Sequence, residues 1–362
     1  MLGQRFVLER LLDLNGLAGV GEFVDVGWHS KSQITEGEAR CHVRTHNVQP
    51  EVLLGEDPAR RVPVALGECW LWWRMQVRSA VIPAAGMGTR FLPATKAVPK
   101  ELFPIGDQPA LQIVIDEALG AGIDHIVVVS SRDKPTVAQY FEPNEALLNK
   151  LDDSGKTALA ERLRSIGRDW RVSIVYQDNP KGLGHAVGCA REAIGEEPFA
   201  VMLPDELMGS SALLAQMNGV CSSTEGSVVA VANVPRELVS SYGVIDPAGE
   251  LSADGVIPVR DLVEKPSVED APSNFIITGR YVLTVDAWAE IDALQPGRGG
   301  ELQLTDALKA QAARSPFHAV VSDVSRHDTG NPLGFLTASI ELGLTNPELR
   351  DDLRAFLANL QV

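Results

Sequence analysis

Short apolar runs alternate with stretches of helical spacing along most of the chain after residue 78. The runs that predict strands are RSAVIPAA (78–85), HIVVVSS (125–131), VSIVYQ (172–177), FAVMLPDE (199–206) and GSVVAVANV (226–234). Helical spacing lies between them, as in PALQIVIDEALGAG (109–122) and GHAVGCAREAI (184–194). Strands that alternate with helices predict an α/β fold with a mostly parallel sheet and helices on both faces. In such sheets, ligands bind beyond the carboxyl ends of the strands.

The pattern changes near residue 240. The segments GVI (243–245), VIPVRDLVEKP (256–266) and FIITGRYVL (275–283) predict a small β-rich insertion or a meander. Two or three helices then close the chain, including ELQLTDALKAQAA (301–313) and NPELRDDLRAFLANL (346–360). No internal repeat is found.

Residues 1–74 differ from the rest of the chain. Residues 1–20 fit one amphipathic helix, but the following text has no clear period. Because the first predicted strand follows Met75 almost at once, we interpret 1–74 as an extension or a wrongly assigned start, with Met75 as the natural start and 75–362 as the functional domain. Cys41, His42 and His46 lack a fourth ligand with the spacing of a tetrahedral zinc site.

Charge and cysteine usage narrow the function. The net charge of −16 disfavours nucleic acid and anionic membrane as partners, since both need a basic surface. The four cysteines show no C-x-x-C spacing, which suits a reducing cytoplasm. No apolar run reaches the length of a membrane span and no signal segment opens the chain. We therefore expect a cytoplasmic protein.

The segment AVIPAAGMGTRFLPATKAVPKELFPIGDQP (80–109) predicts a phosphate site, although it fits neither the P-loop nor the dinucleotide-binding pattern. Its small residues let an anion approach backbone N–H groups. Arg90 adds a planar, permanently charged fork, and Lys100 can reach back over the same phosphates. By itself, GMGTR also fits a tight turn with solvated cations.

Further segments make the pattern specific. They are YQDNPKGLGHAV, VMLPDE, SYGVI, LVEKP, ITGRYVL, GGELQLTDAL and RHDTGNPLGF. With the glycine loop, they resemble the sugar-1-phosphate nucleotidyltransferases, and among these the bacterial UTP–glucose-1-phosphate uridylyltransferases. The resemblance runs from about Met75 to the C-terminus. It implies a Rossmann-like fold of the nucleotide-diphospho-sugar transferase type, with the β-rich insertion for the sugar.

The resemblance also implies a reaction. UTP and glucose 1-phosphate would give UDP-glucose and pyrophosphate, by in-line attack without a covalent enzyme intermediate. Members of the family are commonly dimers or tetramers, so a homo-oligomer is expected.

Site residues follow from the matching segments. The implied catalytic residues are Arg90, Lys100, Asp205 and Lys265. The implied substrate-binding residues are Ala84, Ala85, Gly86, Gly88, Thr89, Glu101, Gln177, Gly182, Gly243, Glu264 and Gly279. The glycine-loop residues would hold the triphosphate, with Glu101 ordering the loop. The amide of Gln177 complements the edge of uracil, with the backbone near Gly182 alongside. Glu264 and Gly279 would meet the sugar, and Lys265 its phosphate.

Asp205 and Asp328 are the predicted ligands of Mg²⁺. Magnesium prefers oxygen ligands and keeps several waters, so two carboxylates plus phosphate oxygens suffice. Asp205 ends an apolar strand, and the resemblance implies Asp328 as the second ligand, because in RHDTGN it matches an aspartate that related sugar nucleotidyltransferases use. Glu206 departs from the aspartate or small residue expected after the metal ligand. As an alternative, Asp205 could cap a helix over ELMGSSALLAQM.

Three other functions are less consistent with the sequence. The first is the same chemistry with another base or sugar, such as thymidylyl transfer, and the PATKAVPKE spacing favours uridylyl transfer over it. A non-catalytic relative would have lost charges at the site, whereas the four implied catalytic residues are all present. A dinucleotide-dependent oxidoreductase is disfavoured because the glycines at 182–188 have the spacing G-x-G-x-x-x-G.

Overall fold

The computed structural model describes residues 24–27, 42–45 and 76–360. The chain divides into two compact units, Met1–Trp70 and Leu71–Val362. Within the first unit, β1 (Val24–Gly27) and β2 (His42–Thr45) pair antiparallel. The predicted helix over 1–20, the proposed start at Met75 and the residues Cys41 and His46 lie outside the described residues.

A nine-stranded sheet forms the centre of the second unit. Its strands are β3 (Ser79–Pro83), β6 (His125–Ser130), β7 (Arg171–Tyr176), β8 (Phe199–Met202), β10 (Ser227–Asn233), β11 (Gly243–Pro247), β12 (Val256–Glu264), β13 (Phe275–Leu283) and β14 (Phe317–Val321). Their order is β10-β14-β12-β11-β13-β8-β3-β6-β7, and β10 also pairs with β13. Four two-residue strands complete the set and form two pairs: β4 (Pro104–Ile105) with β5 (Gln108–Pro109), and β9 (Glu206–Leu207) with β15 (His327–Asp328).

The sheet is mixed, so the prediction of a mostly parallel sheet is wrong for about half of it. The pairs joining β8, β3, β6 and β7 are parallel, as is the pair β10–β14. The other pairs are antiparallel, including β13 with β8. An apolar run does not record the direction of its strand, and β13 runs against its neighbour because it returns from the β11–β12 hairpin.

The β-rich segment after residue 240 belongs to the main sheet. We predicted a small β-rich insertion or a meander there; β11 pairs with both β12 and β13, and β13 pairs with β8, so an insertion is not confirmed. The reason is burial: all of β13 from Ile276 to Leu283 is buried, and a strand without an exposed face has to lie inside a larger sheet.

Helices cover both faces. They are α1 (Ala110–Gly120), α2 (Pro135–Gln139), α3 (Glu145–Asp153), α4 (Thr157–Arg164), α5 (Leu183–Cys189), α6 (Arg191–Ile194), α7 (Ala212–Thr224), α8 (Ala287–Asp292), α9 (Leu304–Ala312), α10 (Pro332–Gly343) and α11 (Arg350–Ala358). Residues alternate between the faces along β3: Ala80 and Ile82 pack in one core with α1 and α7, and Val81 packs in the other with α5, α8 and α9. The predicted two-sided cover is therefore present.

Candidate active site

One edge of the sheet gathers most of the predicted site residues. Hydrogen bonds between backbone groups mark neighbours along this edge: Gln177 N donates to Ser130 O, Ala84 N to Val129 O, and Leu203 N to Gly279 O. β7, β6, β3 and β8 are parallel, so their carboxyl ends meet here. β13 runs in the opposite direction, and Gly279, at its centre, lies at the same edge next to Leu203. The order along the edge is Gln177, Ser130, Ala84, Asp205 and Gly279.

The glycine loop is open at its tip and folded back at its end. A Cβ added to Gly86 would meet nothing within 4 Å, so a ligand can approach the backbone there. Gly88 has φ 63°, a conformation that favours glycine. A Cβ on it would lie 3.0 Å from Cγ2 of Thr95 and 3.5 Å from Cβ of Lys100. Thr89 starts a short 3-10 turn, Thr89–Phe91, and is exposed.

Glu101 is buried and is connected to the start of the glycine loop through Lys134. Its side chain is about 1% exposed, and its Oε2 lies 3.1 Å from Nζ of Lys134. The same Nζ donates to the carbonyl O of Ala84 at 2.9 Å. Burial raises the pKa of Glu101, while Lys134 and then Lys100 act in the opposite direction. Lys134 thus joins the start of the loop, at Ala84, to its end, at Glu101. The role of Glu101 in ordering the loop stays a prediction.

Lys100 lies against Asp205. Its Nζ is 2.6 Å from Oδ2 of Asp205, and the two side chains are 20% and 30% exposed. Burial alone would lower the pKa of Lys100, but the attraction of Asp205, supported by Glu101, raises it above its ordinary value. Lys100 is therefore a permanent positive charge beside a carboxylate at the ligand edge.

Asp205 and Asp328 are brought together from distant parts of the chain. β9 and β15 pair antiparallel with Asp328 opposite Glu206. Thr329 donates to the carbonyl O of Asp205 through its N at 2.7 Å and its Oγ1 at 3.0 Å. A Cβ added to Gly330 would lie 3.0 Å from Oδ1 of Asp328 and 3.1 Å from Oδ2 of Asp205, so both oxygens flank the same glycine.

This pair of carboxylates fits the predicted magnesium site. Both oxygens are hard ligands and Asp205 is partly exposed, which suits an ion that keeps waters and takes phosphate oxygens. Within residues 24–27, 42–45 and 76–360 no group of three or more His, Cys, Asp or Glu side chains could hold a metal. The alternative of Asp205 as a helix cap is wrong: residues 206–207 form β9, and α7 begins only at Ala212.

Arg90 reaches the Asp328 segment. Its Nη1 donates to the carbonyl O of Gly330 at 3.3 Å, and the residue is otherwise exposed. The next residue, Phe91, packs edge-to-face against Phe103 at 5.4 Å and against Phe335 at 6.0 Å between ring centroids. These rings fasten the glycine loop to α10, which follows Gly330.

Arg280 holds the turn that presents Asp205, a contact the sequence did not predict. The guanidinium is fully buried and binds Glu117 with two hydrogen bonds of 2.8 and 2.7 Å. Its remaining N–H groups donate to the carbonyl oxygens of Leu203 and Gly279, both at 3.1 Å, and of Glu206 at 2.5 Å. Five donors thus have five acceptors, and two of these flank Asp205 in the chain.

Gln177 is buried at the end of β7 and contacts the glycine-rich segment after it. Its Nε2 lies 2.8 Å from Nδ1 of His185 and 3.3 Å from the carbonyl O of Gly182. Gly182 has φ 109°, and a Cβ on it would lie 2.7 Å from the carbonyl O of Leu302. Gly182 therefore permits the close approach of residues 301–302 to this loop.

Glu264 ends β12 opposite Gly243, the first residue of β11, and Lys265 follows it. Oε2 of Glu264 accepts from Oγ1 of Thr305 at 2.7 Å, and its Oε1 lies 3.1 Å from Nζ of Lys265. A Cβ added to Gly243 would lie 3.4 Å from both Oε2 of Glu264 and Oγ1 of Thr305. Lys265 has φ 45°, which is strained for a residue with a side chain, and its N donates to the carbonyl O of Tyr242.

Glu264, Lys265, Gly243 and Thr305 form a second cluster. Glu206 and Arg326 link the two aspartates to it. Nε and Nη2 of Arg326 each lie 2.7 Å from an oxygen of Glu206, and the guanidinium carbon lies 5.0 Å from the ring centroid of Tyr242. Burial raises the pKa of Glu206 to about 7, against the effect of Arg326. A Cβ on Gly279 would lie 2.9 Å from Cγ of Glu206. Gly279 is thus needed for packing within the chain, and Glu206 is an ion-pair partner.

The predicted residues form three groups rather than one. Lys100 contacts Asp205, and Asp328 lies beside the same glycine, Gly330, as Asp205. Gln177 contacts Gly182, and Glu264 contacts Lys265 and lies beside Gly243. Sequence reasoning missed Lys134, Arg280, Arg326 and Thr305. A sign existed only for Arg280, whose charge interrupts an apolar strand and therefore indicates a buried partner.

Two further findings concern the rest of the described chain. A cavity of about 550 Å³, lined by residues such as Arg78, Asp124 and Arg171, lies at the opposite ends of β3, β6 and β7 and away from the predicted residues. Among the residues described, none of the helices is long and apolar enough to cross a membrane.

This chain is similar in sequence and structure to several known proteins. The profile of the family described as Nucleotidyl transferase matches residues 79–343. The UTP–glucose-1-phosphate uridylyltransferase YngB of Bacillus subtilis (strain 168) is 43% identical over 288 residues, which cover 79% of this chain and 96% of that protein. A UTP-bound UGPase from Acinetobacter baumannii is 36% identical with a TM-score of 0.73, covering 79% of this chain and 100% of that one. A UDP-glucose pyrophosphorylase complexed with UDP-glucose is 38% identical with a TM-score of 0.67, covering 75% and 100%.

Proposed function

Because this chain belongs to the nucleotidyl transferase family, we propose that it transfers a uridylyl group from UTP to glucose 1-phosphate, giving UDP-glucose and pyrophosphate. Relatives named for this reaction match 79% of the chain at 40–43% identity. An oxygen of the sugar phosphate attacks the α-phosphorus of UTP in line. The new P–O bond forms as the bond to the β-phosphate oxygen breaks, and pyrophosphate leaves.

The order of groups along the sheet edge is the observation that carries this proposal. Gln177 follows β7, the glycine loop follows β3, Asp205 follows β8, and Gly279 lies on β13. Neighbouring strands are about 4.8 Å apart, so β7 and β8 are separated by about 14 Å. That span suits a nucleotide with its base at Gln177, its phosphates at the glycine loop and its sugar acceptor beyond Asp205.

The charged residues of this chain would act by position and charge. Arg90 and the N–H groups around Gly86 would hold the triphosphate, and Lys100 would offset charge at the reacting phosphate. Asp205 and Asp328 would hold Mg²⁺, which supplies charge neutralisation on the phosphates when bound. Lys134 and Glu101 keep the loop in place and need not touch substrate.

The second cluster supplies the sugar site in this proposal. The carboxylate of Glu264, already held by Thr305, can accept hydrogen bonds from sugar hydroxyls. Lys265 would bind the sugar's phosphate. The ion pair of Glu206 with Arg326, which stacks on Tyr242, keeps this cluster at a fixed place relative to the aspartates.

We also propose a homo-oligomer that acts in the cytoplasm. Leu333, Leu336 and Ile340 are 71%, 59% and 38% exposed and lie on one side of α10, where a second copy could cover them. Cys189 and Cys221 are both free thiols, which suits a reducing compartment.

Pyrophosphate release measured with each nucleoside triphosphate and glucose 1-phosphate tests the reaction. We expect release with UTP, little with CTP, ATP or GTP, and none when glucose 1-phosphate is omitted. A higher kcat/KM with dTTP than with UTP would replace uridylyl by thymidylyl transfer. Absence of release with every nucleotide at millimolar Mg²⁺ would reject the proposal.

A further inference from the structure

A hydrogen bond between Gln177 and His185 decides how the glutamine amide is oriented. Nε2 of Gln177 has two acceptors within range, Nδ1 of His185 at 2.8 Å and the carbonyl O of Gly182 at 3.3 Å. An amide nitrogen carries two hydrogens, so these acceptors use both of them. The amide atom that remains to meet a ligand is Oε1, which only accepts.

The imidazole of His185 is held in the form that this contact needs. Nδ1 accepts a hydrogen bond only if the ring is neutral and carries its proton on Nε2. Nε2 lies 3.9 Å from Sγ of Cys189, one turn later on α5, where a weak N–H···S contact is satisfied. Burial, and then the charge of Lys181, lower the pKa of His185, which keeps the ring neutral at neutral pH.

We propose that His185 is a positioning residue that sets nucleotide selectivity by holding Oε1 of Gln177 towards the base. The inference rests on the proposed function, which puts the base beside Gln177. Uracil and thymine present N3–H, a donor that Oε1 can accept. Cytosine presents an unprotonated N3, so two acceptors would face each other. A buried polar group without its partner is the kind of mismatch by which a site rejects a ligand.

Loss of the acceptor at His185 weakens the preference for this amide orientation, because only the longer contact with the carbonyl O of Gly182, at 3.3 Å, then remains. The amide of Gln177 can then turn, and in the turned state its Nε2 faces the base and can donate to N3 of cytosine. One hydrogen bond of this kind corresponds to a change in kcat/KM of about three- to tenfold. The ratio of UTP to CTP should therefore fall, whereas the ratio of UTP to dTTP should stay the same, since both bases carry N3–H.

The test compares two substitutions of similar shape. His185→Leu removes the acceptor, while His185→Asn keeps a side-chain oxygen close to the position of Nδ1. His318→Leu is the matched control: it makes the same exchange on β14, at a histidine whose Nδ1 has no hydrogen-bond partner within the described part of the chain. kcat/KM for UTP, dTTP and CTP is measured for all four proteins with glucose 1-phosphate.

We expect the ratio of kcat/KM for UTP to that for CTP to fall about three- to tenfold in His185→Leu, and to stay near wild type in His185→Asn and His318→Leu. An unchanged ratio in His185→Leu would overturn the inference, as would an equal fall for all three nucleotides, which marks a purely structural role. A wild-type protein that does not use UTP would instead reject the proposed function, so the two failures are distinguishable.

Discussion

Nζ of Lys100 lies 2.6 Å from Oδ2 of Asp205, although the two residues are 105 positions apart in the chain. A cation and a carboxylate that touch at the ligand edge are suited to act on the same phosphate, one directly and the other through a bound metal. The carboxylate of Asp205 thus already contacts a positive charge, the ammonium group of Lys100. Asp205 therefore offers a direct test of the site.

Asp205→Asn should abolish most of the activity while the protein still folds. Asparagine keeps the size and one oxygen but loses the charge that would hold Mg²⁺, so we expect kcat to fall by about a hundredfold or more. The backbone O of Asp205, which Thr329 uses, is unaffected by the exchange. Turnover and thermal unfolding are measured beside Asp292→Asn, whose exposed carboxylate pairs with Arg191 on α6. Near-normal turnover in Asp205→Asn would remove this residue from the catalytic site.

Arg90→Lys should not be a conservative exchange. Guanidinium can hold two phosphate oxygens at once, whereas an ammonium is a point charge. We expect kcat/KM for UTP to fall about tenfold or more, which corresponds to the loss of one hydrogen bond to a charged group. Arg314→Lys, at an exposed arginine paired with Glu290, is the control and should be silent. A lysine variant at position 90 with wild-type efficiency would place Arg90 outside the triphosphate site.

Arg280→Lys should lower both stability and turnover. Glu117 would be left in the interior with a poorer partner, and breaking a buried ion pair typically costs about 3–5 kcal/mol in the free energy of unfolding. Urea titration measures this loss. The double variant Arg280→Met/Glu117→Leu should regain much of the stability, but its kcat should stay low because the carbonyl groups beside Asp205 lack their donor. If kcat recovers together with stability, Arg280 has no role in positioning Asp205.

Lys265 combines a strained backbone with a proposed contact to the sugar's phosphate. At φ 45° a glycine is favoured over alanine by about 1 kcal/mol. Lys265→Gly should therefore unfold at higher urea concentration than Lys265→Ala. Both variants should show weakened sugar-phosphate kinetics and unchanged UTP binding by calorimetry, since both lack the ammonium. Loss of UTP binding with normal sugar-phosphate kinetics would contradict the assignment.

A protein that begins at Met75 should fold and retain activity. The family profile starts at residue 79, and the strand β3 begins there. Circular dichroism and pyrophosphate release are compared with those of the full chain. An insoluble or inactive shorter protein, beside an active full-length one, would show that residues 1–74 are required.

The parallel half of the fold could be predicted because its strands are continuous apolar runs. Each of β3, β6 and β8 is almost entirely buried and is followed at once by a polar or glycine-rich loop, so the ligand edge could be inferred before any contact was known. The direction of β13 could not, because alternation and hydrophobicity are the same when read from either end.

The individual segments of the site could be predicted, but the contacts between them could not. The assigned roles of Gln177, Glu264 and Lys265 stay predictions until the variants are measured. The contacts that hold these segments, Glu117 with Arg280 and Glu206 with Arg326, join residues 163 and 120 positions apart. No local spacing encodes such pairs. His185 lies in one of the matching segments. Its proposed role depends on the orientation of the Gln177 amide, which only the folded loop determines.

The buried guanidinium of Arg280 also has a consequence for synthesis on the ribosome. Asp205 leaves the ribosome long before Arg280, which supplies the donors for the turn around it, and Thr329 follows 124 positions after Asp205. Until those residues emerge, the turn that carries Asp205 lacks the hydrogen-bond donors that hold it. Glu117, which is buried in the folded protein, lacks its counter-ion. A nascent chain that ends before Asp328 therefore lacks the second carboxylate of the proposed metal site and both hydrogen bonds from Thr329 to the carbonyl O of Asp205, however much of the parallel sheet has already formed.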